Sequence, residues 1–312
     1  MKIGLDIMGG DFAPQATMLG AIAAYEALTA DQKLVLIGDK DIAVGILREN
    51  NFDPDRFEYV HTKVAVGMGE HPTKAITQKP DSSIALGFQM LKEGVIKAFS
   101  SAGNSGAMLV GAMFSIKTIP GVLRPAITSI IPQVSGRLGV LVDVGANADC
   151  KPEFLVQFGA LGSLFAEYVY KVENPRVALM NIGEEEGKGN ILCQAAYPLM
   201  KESGLFNFVG NIEGRTAFED HADVVVTDGF TGNVMLKMAE SFYDISVRKN
   251  IKDSFIDLFN YEQYGGSPIL GVNAPVVVGH GISTPEAIKN MVILSKNMVE
   301  TALVDKIKLA FQ

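Results

Sequence analysis

The stretch Ala98-Phe99-Ser100-Ser101-Ala102-Gly103-Asn104-Ser105-Gly106-Ala107-Met108-Leu109 passes from a β-type run into a glycine turn and then a helix start. A second stretch repeats the pattern: Asp223-Val224-Val225-Val226-Thr227, then Asp228-Gly229-Phe230-Thr231-Gly232, then Asn233-Val234-Met235. Both turns read G-x-[Ser/Thr]-G. Small residues let a backbone approach a ligand, and the amides of a first helical turn attract anions. A strand feeding a helix through such a turn is the unit of an α/β fold, whose ligands sit beyond the carboxyl ends of the strands.

Working outward, short apolar runs alternate with helix-period segments through most of the chain. Runs at 2–7, 33–37, 57–60, 98–101, 126–131, 138–142, 176–180, 223–227 and 276–278 read as strands. Segments at 14–28, 41–50, 82–92, 105–116, 152–170, 190–201, 232–247 and 285–302 read as helices. Strands separated by helices predict a largely parallel sheet covered on both faces. No Pro/Ser-rich linker appears, so a single α/β/α catalytic domain over 1–312 is expected.

Composition narrows the function. Of 312 residues, 48% are hydrophobic and 20% charged, enough for a sizeable core. A formal charge of −8 disfavours nucleic acid, which demands clustered Lys and Arg. Cys150 and Cys193, the only cysteines, form no zinc or C-x-x-C pattern and read as reduced thiols of a cytoplasmic protein. Asp6 interrupts any apolar signal-peptide core, and no apolar stretch approaches the length of a membrane span. Around 239–262, apolar residues interleave with Arg248, Lys249 and Lys252, an amphipathic helical segment suited to the core or to a surface partner.

The candidate phosphate-binding residues are therefore Gly103, Asn104, Ser105 and Gly106, with Thr231, Gly232 and Asn233. Neither turn is a P-loop, and no G-x-G-x-x-G follows the first strand, so no nucleotide cofactor is expected. Asp6, Asp11, Asp143, Asn147 and Asp228 sit at strand ends, where carboxylates and amides support turns. Lys188, flanked by glycines, and Lys151, beside Cys150, are candidates to neutralise charge, and His280 to face an oxyanion. Glu184, Glu185 and Glu186 point in different directions as neighbours, so no metal site is read from them. A thiolate nucleophile at Cys150 is the alternative route to direct attack.

Several motifs together resemble a known family. Met8-Gly9-Gly10-Asp11, Lys79-Pro80-Asp81-Ser82-Ser83, the 101–107 turn, 143–152, 181–189, Gly210-Asn211-Ile212-Glu213-Gly214-Arg215, 228–233, Tyr264-Gly265-Gly266 and His280-Gly281 are similar to the successive motifs of the PlsX phosphate acyltransferases. The resemblance covers almost the whole chain. It implies transfer of a fatty acyl group from acyl carrier protein to inorganic phosphate, giving acyl phosphate for phospholipid synthesis. It also implies a three-layer α/β/α fold with a mixed sheet, like isocitrate and isopropylmalate dehydrogenases, and a homodimer. The 239–262 segment is shorter than in many members, which limits any peripheral membrane contact to a weak one. Position 282 carries Ile where the family commonly has Ser. The rival functions are a phosphotransacetylase using acyl-coenzyme A and a carrier-protein or membrane-surface scaffold. Carrier protein is acidic, so Lys117, Arg124 and Arg137 are candidates for its docking.

Overall fold

The computed structural model describes residues 1–312. The chain forms two compact units, 1–118 with 262–300 and 119–261 with 301–312, where the sequence shows no linker. The first unit opens with β1 (Lys2–Asp6), α1 (Gln15–Tyr25), β2 (Lys33–Gly38), α2 (Lys40–Glu49), β3 (Glu58–His61), α3 (Pro72–Gln78), α4 (Ser83–Lys92), β4 (Ala98–Ser101) and α5 (Ser105–Gly111). A π-helical segment, Ala112–Ile116, prolongs α5. The second unit runs through β5 (Ala126–Pro132), β6 (Leu138–Val142), α6 (Pro152–Tyr170), β7 (Arg176–Asn181), α7 (Ile191–Glu202), β8 (Asn207–Glu213), β9 (Val224–Val226), α8 (Gly229–Lys249) and α9 (Ser254–Asp257). Then β10 (Ser267–Leu270), β11 (Val276–Val278) and α10 (Pro285–Glu300) complete the first unit, and α11 (Leu303–Ala310) the second.

In the first unit the strands follow the order β3-β2-β1-β4-β11-β10. Neighbours are parallel except β10 and β11. Consecutive residues of β4 show why these strands are apolar throughout. The Phe99 ring meets Phe88 of α4 edge-on, 5.2 Å between centroids, while Ser100 Oγ lies 2.6 Å from Ser295 Oγ of α10. Successive strand residues point to opposite faces, so helices cover both.

The second unit repeats the plan with the order β5-β6-β9-β7-β8, antiparallel only between β5 and β6. Val142 and Val224 lie against Gly162 of α6. Leu141 and Val225 pack on the other face with Leu236 of α8. The architecture is thus α/β/α with mixed sheets: the parallel expectation holds for most strand pairs and fails at β5/β6 and β10/β11.

Strands β8 and β10 escape a pattern reading. Asn207-Phe-Val-Gly-Asn-Ile-Glu has one strand neighbour and mostly half-exposed residues, so it carries little apolar signal. Ser267-Pro-Ile-Leu contains Pro268, which argues against a strand in sequence. The 239–262 segment is not one helix. Asn250 adopts φ 54° and closes α8, and α9 follows separately. Phe242, Phe255 and Phe218 all pack edge-on around the buried Phe259, at centroid distances of 5.8, 5.2 and 5.3 Å, while Ile245, Val247 and Ile251 stay exposed. No helix is long and apolar enough to cross a membrane.

Candidate active site

In the first unit, strand ends bring together the loops after β1, β4 and β11. Asp6, buried at the end of β1, accepts a 2.6 Å hydrogen bond from Ser101 Oγ and a 2.9 Å one from Met8 N. Ser101 Oγ in turn accepts from Gly103 N at 2.9 Å. A β-carbon at Gly9 would lie 2.6 Å from Asp6 Oδ2 and Gly103 N, so only glycine fits between these loops. Asp11 N donates to Gly281 O at 2.7 Å, and Gly279 N to Ser101 O at 2.9 Å. That places half-buried His280 beside the end of β4. Burial raises the Asp6 carboxyl above the usual carboxylate range despite its hydrogen bonds from Ser101 and the backbone. Asp6 and the Asp11 backbone hold turns together.

Asn104 does the same at longer range. Its Oδ1 caps α5 by accepting from Ala107 N at 2.9 Å. Its Nδ2 donates to the carbonyls of Gly67, Met68 and Glu70 at 3.1, 3.0 and 2.9 Å. Lys79 joins the same loop, bonding Glu70 Oε1 at 2.6 Å and Ala65 O at 3.1 Å. Both groups of the Asn104 amide are therefore engaged within the protein. Ser105, next in sequence, is exposed on the first turn of α5, with Gly106 half-buried behind it.

The second unit builds its own turn around Asp143. Its Oδ1 accepts from Ile127 N at 2.9 Å and Ala146 N at 3.2 Å, and its Oδ2 from Asn147 N at 2.7 Å and Asn147 Nδ2 at 2.9 Å. Burial again raises this carboxyl, against the hydrogen bonds from Asn147 and the backbone. Asn147 O receives Gly229 N at 2.7 Å, which draws the start of α8 onto the loop. Gly232 touches that loop so closely that a β-carbon would run into Asp143 O. Asp228 caps α8 through Thr231 N and Thr231 Oγ1, both at 2.8 Å. Asn233, two residues beyond Thr231, is exposed.

Beside this turn an open cavity of about 680 Å³ is lined by Ala148, Asp149, Cys150, Asn190, Ile191, Leu192, Asp228, Phe230 and Thr231. These residues belong to the N-termini of α7 and α8 and to the loop running into α6, whose N-cap is the exposed Lys151. Two helices, α7 and α8, thus present their positive ends to one space, while α6 contributes only the loop that precedes it. First-turn amides have no intrahelical acceptor. The caps of α7 and α8 take only Cys193 N and Thr231 N. Asn190, Ile191 and Leu192 carry no sequence motif; the one available signal is Gly189-Asn190 ahead of a helix that lacks acids in its first turn.

Lys188 lies two residues before Asn190. Its carbonyl is held by Asn181 Nδ2 at 3.1 Å and its ammonium stands 3.8 Å from Glu185. The acid run disperses into ion pairs, Glu185 with Lys188 and Glu186 with Lys201. Cys150 Sγ points to Asn147 O at 3.5 Å. Burial, then the negative charge of Asp143, pushes its thiol up to about 12, unlike a thiolate nucleophile. Arg137 precedes β6 and so sits at the opposite end of that strand from Asp143, paired with Asp220 and Asp223.

A family model described as "Fatty acid synthesis protein" matches residues 1–306. A protein named phosphate acyltransferase from Dictyoglomus turgidum is 39% identical over 98% of this chain and 96% of its own. A namesake from Endomicrobium trichonymphae is 42% identical over 94% and 92%. Among solved structures, the EutD phosphotransacetylase of Staphylococcus aureus superposes with a TM-score of 0.65 at 16% identity, covering 96% of this chain and 94% of that one. A 4-hydroxythreonine-4-phosphate dehydrogenase from Klebsiella pneumoniae gives 0.56 at 14% identity over 95% and 98%, so the fold is shared with dehydrogenases of this architecture. The chain belongs to the fatty acid synthesis protein family, among its phosphate acyltransferases.

Proposed function

We propose that the protein transfers a fatty acyl group from acyl carrier protein to inorganic phosphate, and that phosphate binds in the cavity where α7 and α8 begin. What carries this reading is the meeting of the N-termini of α7 and α8 on one open space. Phosphate near neutral pH is largely a dianion, so no strong general base is required. A phosphate oxygen attacks the thioester carbonyl, a C–O bond forms, the C–S bond breaks, and the carrier thiolate leaves and takes a proton. The protein's share is to hold the nucleophile and to stabilise the oxyanion of the tetrahedral intermediate.

Thr231, Gly232 and Asn233 form the phosphate turn, with Lys151 and Lys188 supplying positive charge near a cavity that also carries Asp149 and Asp228. Asp228 is partly offset by the two donors it accepts from Thr231. In the first unit, Gly103, Ser105, Gly106 and His280 are the candidate substrate contacts. Asp6, Asp11, Asp143, Asn147 and Asn104 are positioning residues. Direct attack is favoured over an acyl-Cys150 route because the thiol keeps its proton. The same reading has the enzyme working as a cytoplasmic homodimer, with at most weak peripheral contact with the membrane.

The test measures thiol release from long-chain acyl carrier protein and from the matching acyl-coenzyme A, each with and without phosphate. Phosphate-dependent release from the carrier thioester is expected. Release from acyl-coenzyme A alone would replace the carrier with coenzyme A as donor.

A further inference from the structure

The loop from β7 to α7, Ile182-Gly183-Glu184-Glu185-Glu186-Gly187-Lys188-Gly189, has no fixed shape of its own, since three adjacent acids repel one another between glycines. Three side-chain amides hold it. Asn211, on β8, donates from Nδ2 to Glu185 O at 2.9 Å and reaches Glu184 O at 3.5 Å. Gln194, on α7, donates from Nε2 to Gly187 O at 3.1 Å and Gly189 O at 3.0 Å. Asn181, at the end of β7, donates from Nδ2 to Lys188 O and to Asn211 Oδ1, both at 3.1 Å, and its Oδ1 accepts from Ile182 N at 2.9 Å. An amide has two hydrogens, so both donors of Asn181 and both of Gln194 are engaged here.

The holding has a direction. The carbonyls of Glu185, Gly187, Lys188 and Gly189, whose negative ends would repel an anion, are turned onto the protein's own donors. Gly189, at φ 96°, passes so close to Asn181 that a β-carbon would collide with Oδ1. The stem of Lys188 lies over Gly183, where a β-carbon would come within 2.9 Å of Lys188 Cγ. Its ammonium is only loosely paired, 3.8 Å from Glu185. From there the chain enters Asn190, Ile191 and Leu192 on the cavity wall, a wall to which neither Asn181 nor Asn211 belongs.

We propose that Asn211 and Gln194 are positioning residues for phosphate. Asn211, through Asn181, and Gln194, from α7, turn the loop carbonyls inward and so set Lys188 toward the cavity. The inference rests on the proposed phosphate site, with Lys188 as one of its cations.

The experiment uses the full chain. Asn211→Leu removes one amide at similar size, and Gln194→Leu removes both of its donors. Gln194 is exposed, so that variant carries the same test should Asn211→Leu fold poorly. Each is made alone and together with Lys188→Met, and thiol release from a palmitoyl thioester is followed as phosphate is varied. Either amide variant should lower kcat/KM for phosphate about fivefold or more, while kcat/KM for the thioester at saturating phosphate changes less than about twofold. Together with Lys188→Met the same substitutions should add less than about twofold, because a residue that acts through Lys188 then has nothing to place. Equal losses on phosphate and thioester, or losses that add in full to that of Lys188→Met, overturn the inference and leave the amides as supports of the fold alone. A phosphate defect in Lys188→Met with none in either amide variant overturns the inference and leaves the phosphate site standing. Unchanged phosphate dependence in Lys188→Met removes Lys188 from the phosphate site, and the inference falls with it.

Discussion

Replacing Asn104 probes whether its amide serves the fold or a ligand. Asn104→Ala removes a helix cap, which costs about 1 kcal/mol. It also removes the Nδ2 donor that spans three carbonyls, Gly67, Met68 and Glu70, at 2.9–3.1 Å. An amide has two hydrogens, so this amounts to about two net hydrogen bonds, at about 1 kcal/mol each. The expected loss is about 3 kcal/mol, or a fall in Tm of roughly 6–12 °C. Asn104→Ser keeps a capping oxygen but cannot reach the carbonyls, so it should lose about 2 kcal/mol. Circular-dichroism melts of the two variants separate cap from clip, and amide exchange should accelerate around 67–70 in both. An unchanged Tm together with a raised phosphate KM would refute the argument and return Asn104 to the substrate.

Thr231→Ala should raise the phosphate KM several-fold in steady-state assays while Thr231→Ser stays near wild type; phosphate dependence unchanged in both would remove that turn from the site. Cys150→Ala should retain turnover to within about threefold, since a thiol near pKa 12 offers almost no thiolate at neutral pH; loss of an acyl-enzyme burst along with activity would reverse this. Gly232→Ala should destabilise by at least about 2 kcal/mol in urea, because its β-carbon meets the Asp143 carbonyl. Burial alone would raise the Asp223 carboxyl, but hydrogen bonds and charge from Arg176, with Arg137, outweigh it and hold it below the usual range. A depressed folded pKa means stability that is present above the unfolded value and lost as pH falls through the folded one. Asp223→Asn should therefore cost roughly 2 kcal/mol at pH 7, discounted for the half-exposed Arg137, with the gap narrowing below about pH 4.

The strands buried on both faces were legible because two-sided burial leaves only apolar runs, as in Leu34-Val35-Leu36-Ile37 and Val224-Val225-Val226. β8 was hidden because one-sided pairing relaxes that demand, and β10 because Pro268 signals a break. The G-x-[Ser/Thr]-G turns stood out locally, and so did their small residues. The work of Asn104 did not, since its acceptors lie 34–37 residues upstream and no window joins them. Asn190 and Ile191 were equally silent, because a cavity shared by two helix starts and a loop is a property of packing rather than of any one segment. Within the amphipathic run at 239–262, the helix read at 232–247 ends at Lys249, where Asn250 takes a left-handed conformation that hydrophobic periodicity does not register.

Cys150 lines an open cavity and is only half-buried, a setting in which many thiols become targets of peroxide and alkylating agents. Here burial, then the negative charge of Asp143, raises its thiol to about 12, so it stays protonated near neutral pH. The cavity can thus stay open without presenting a reactive thiolate.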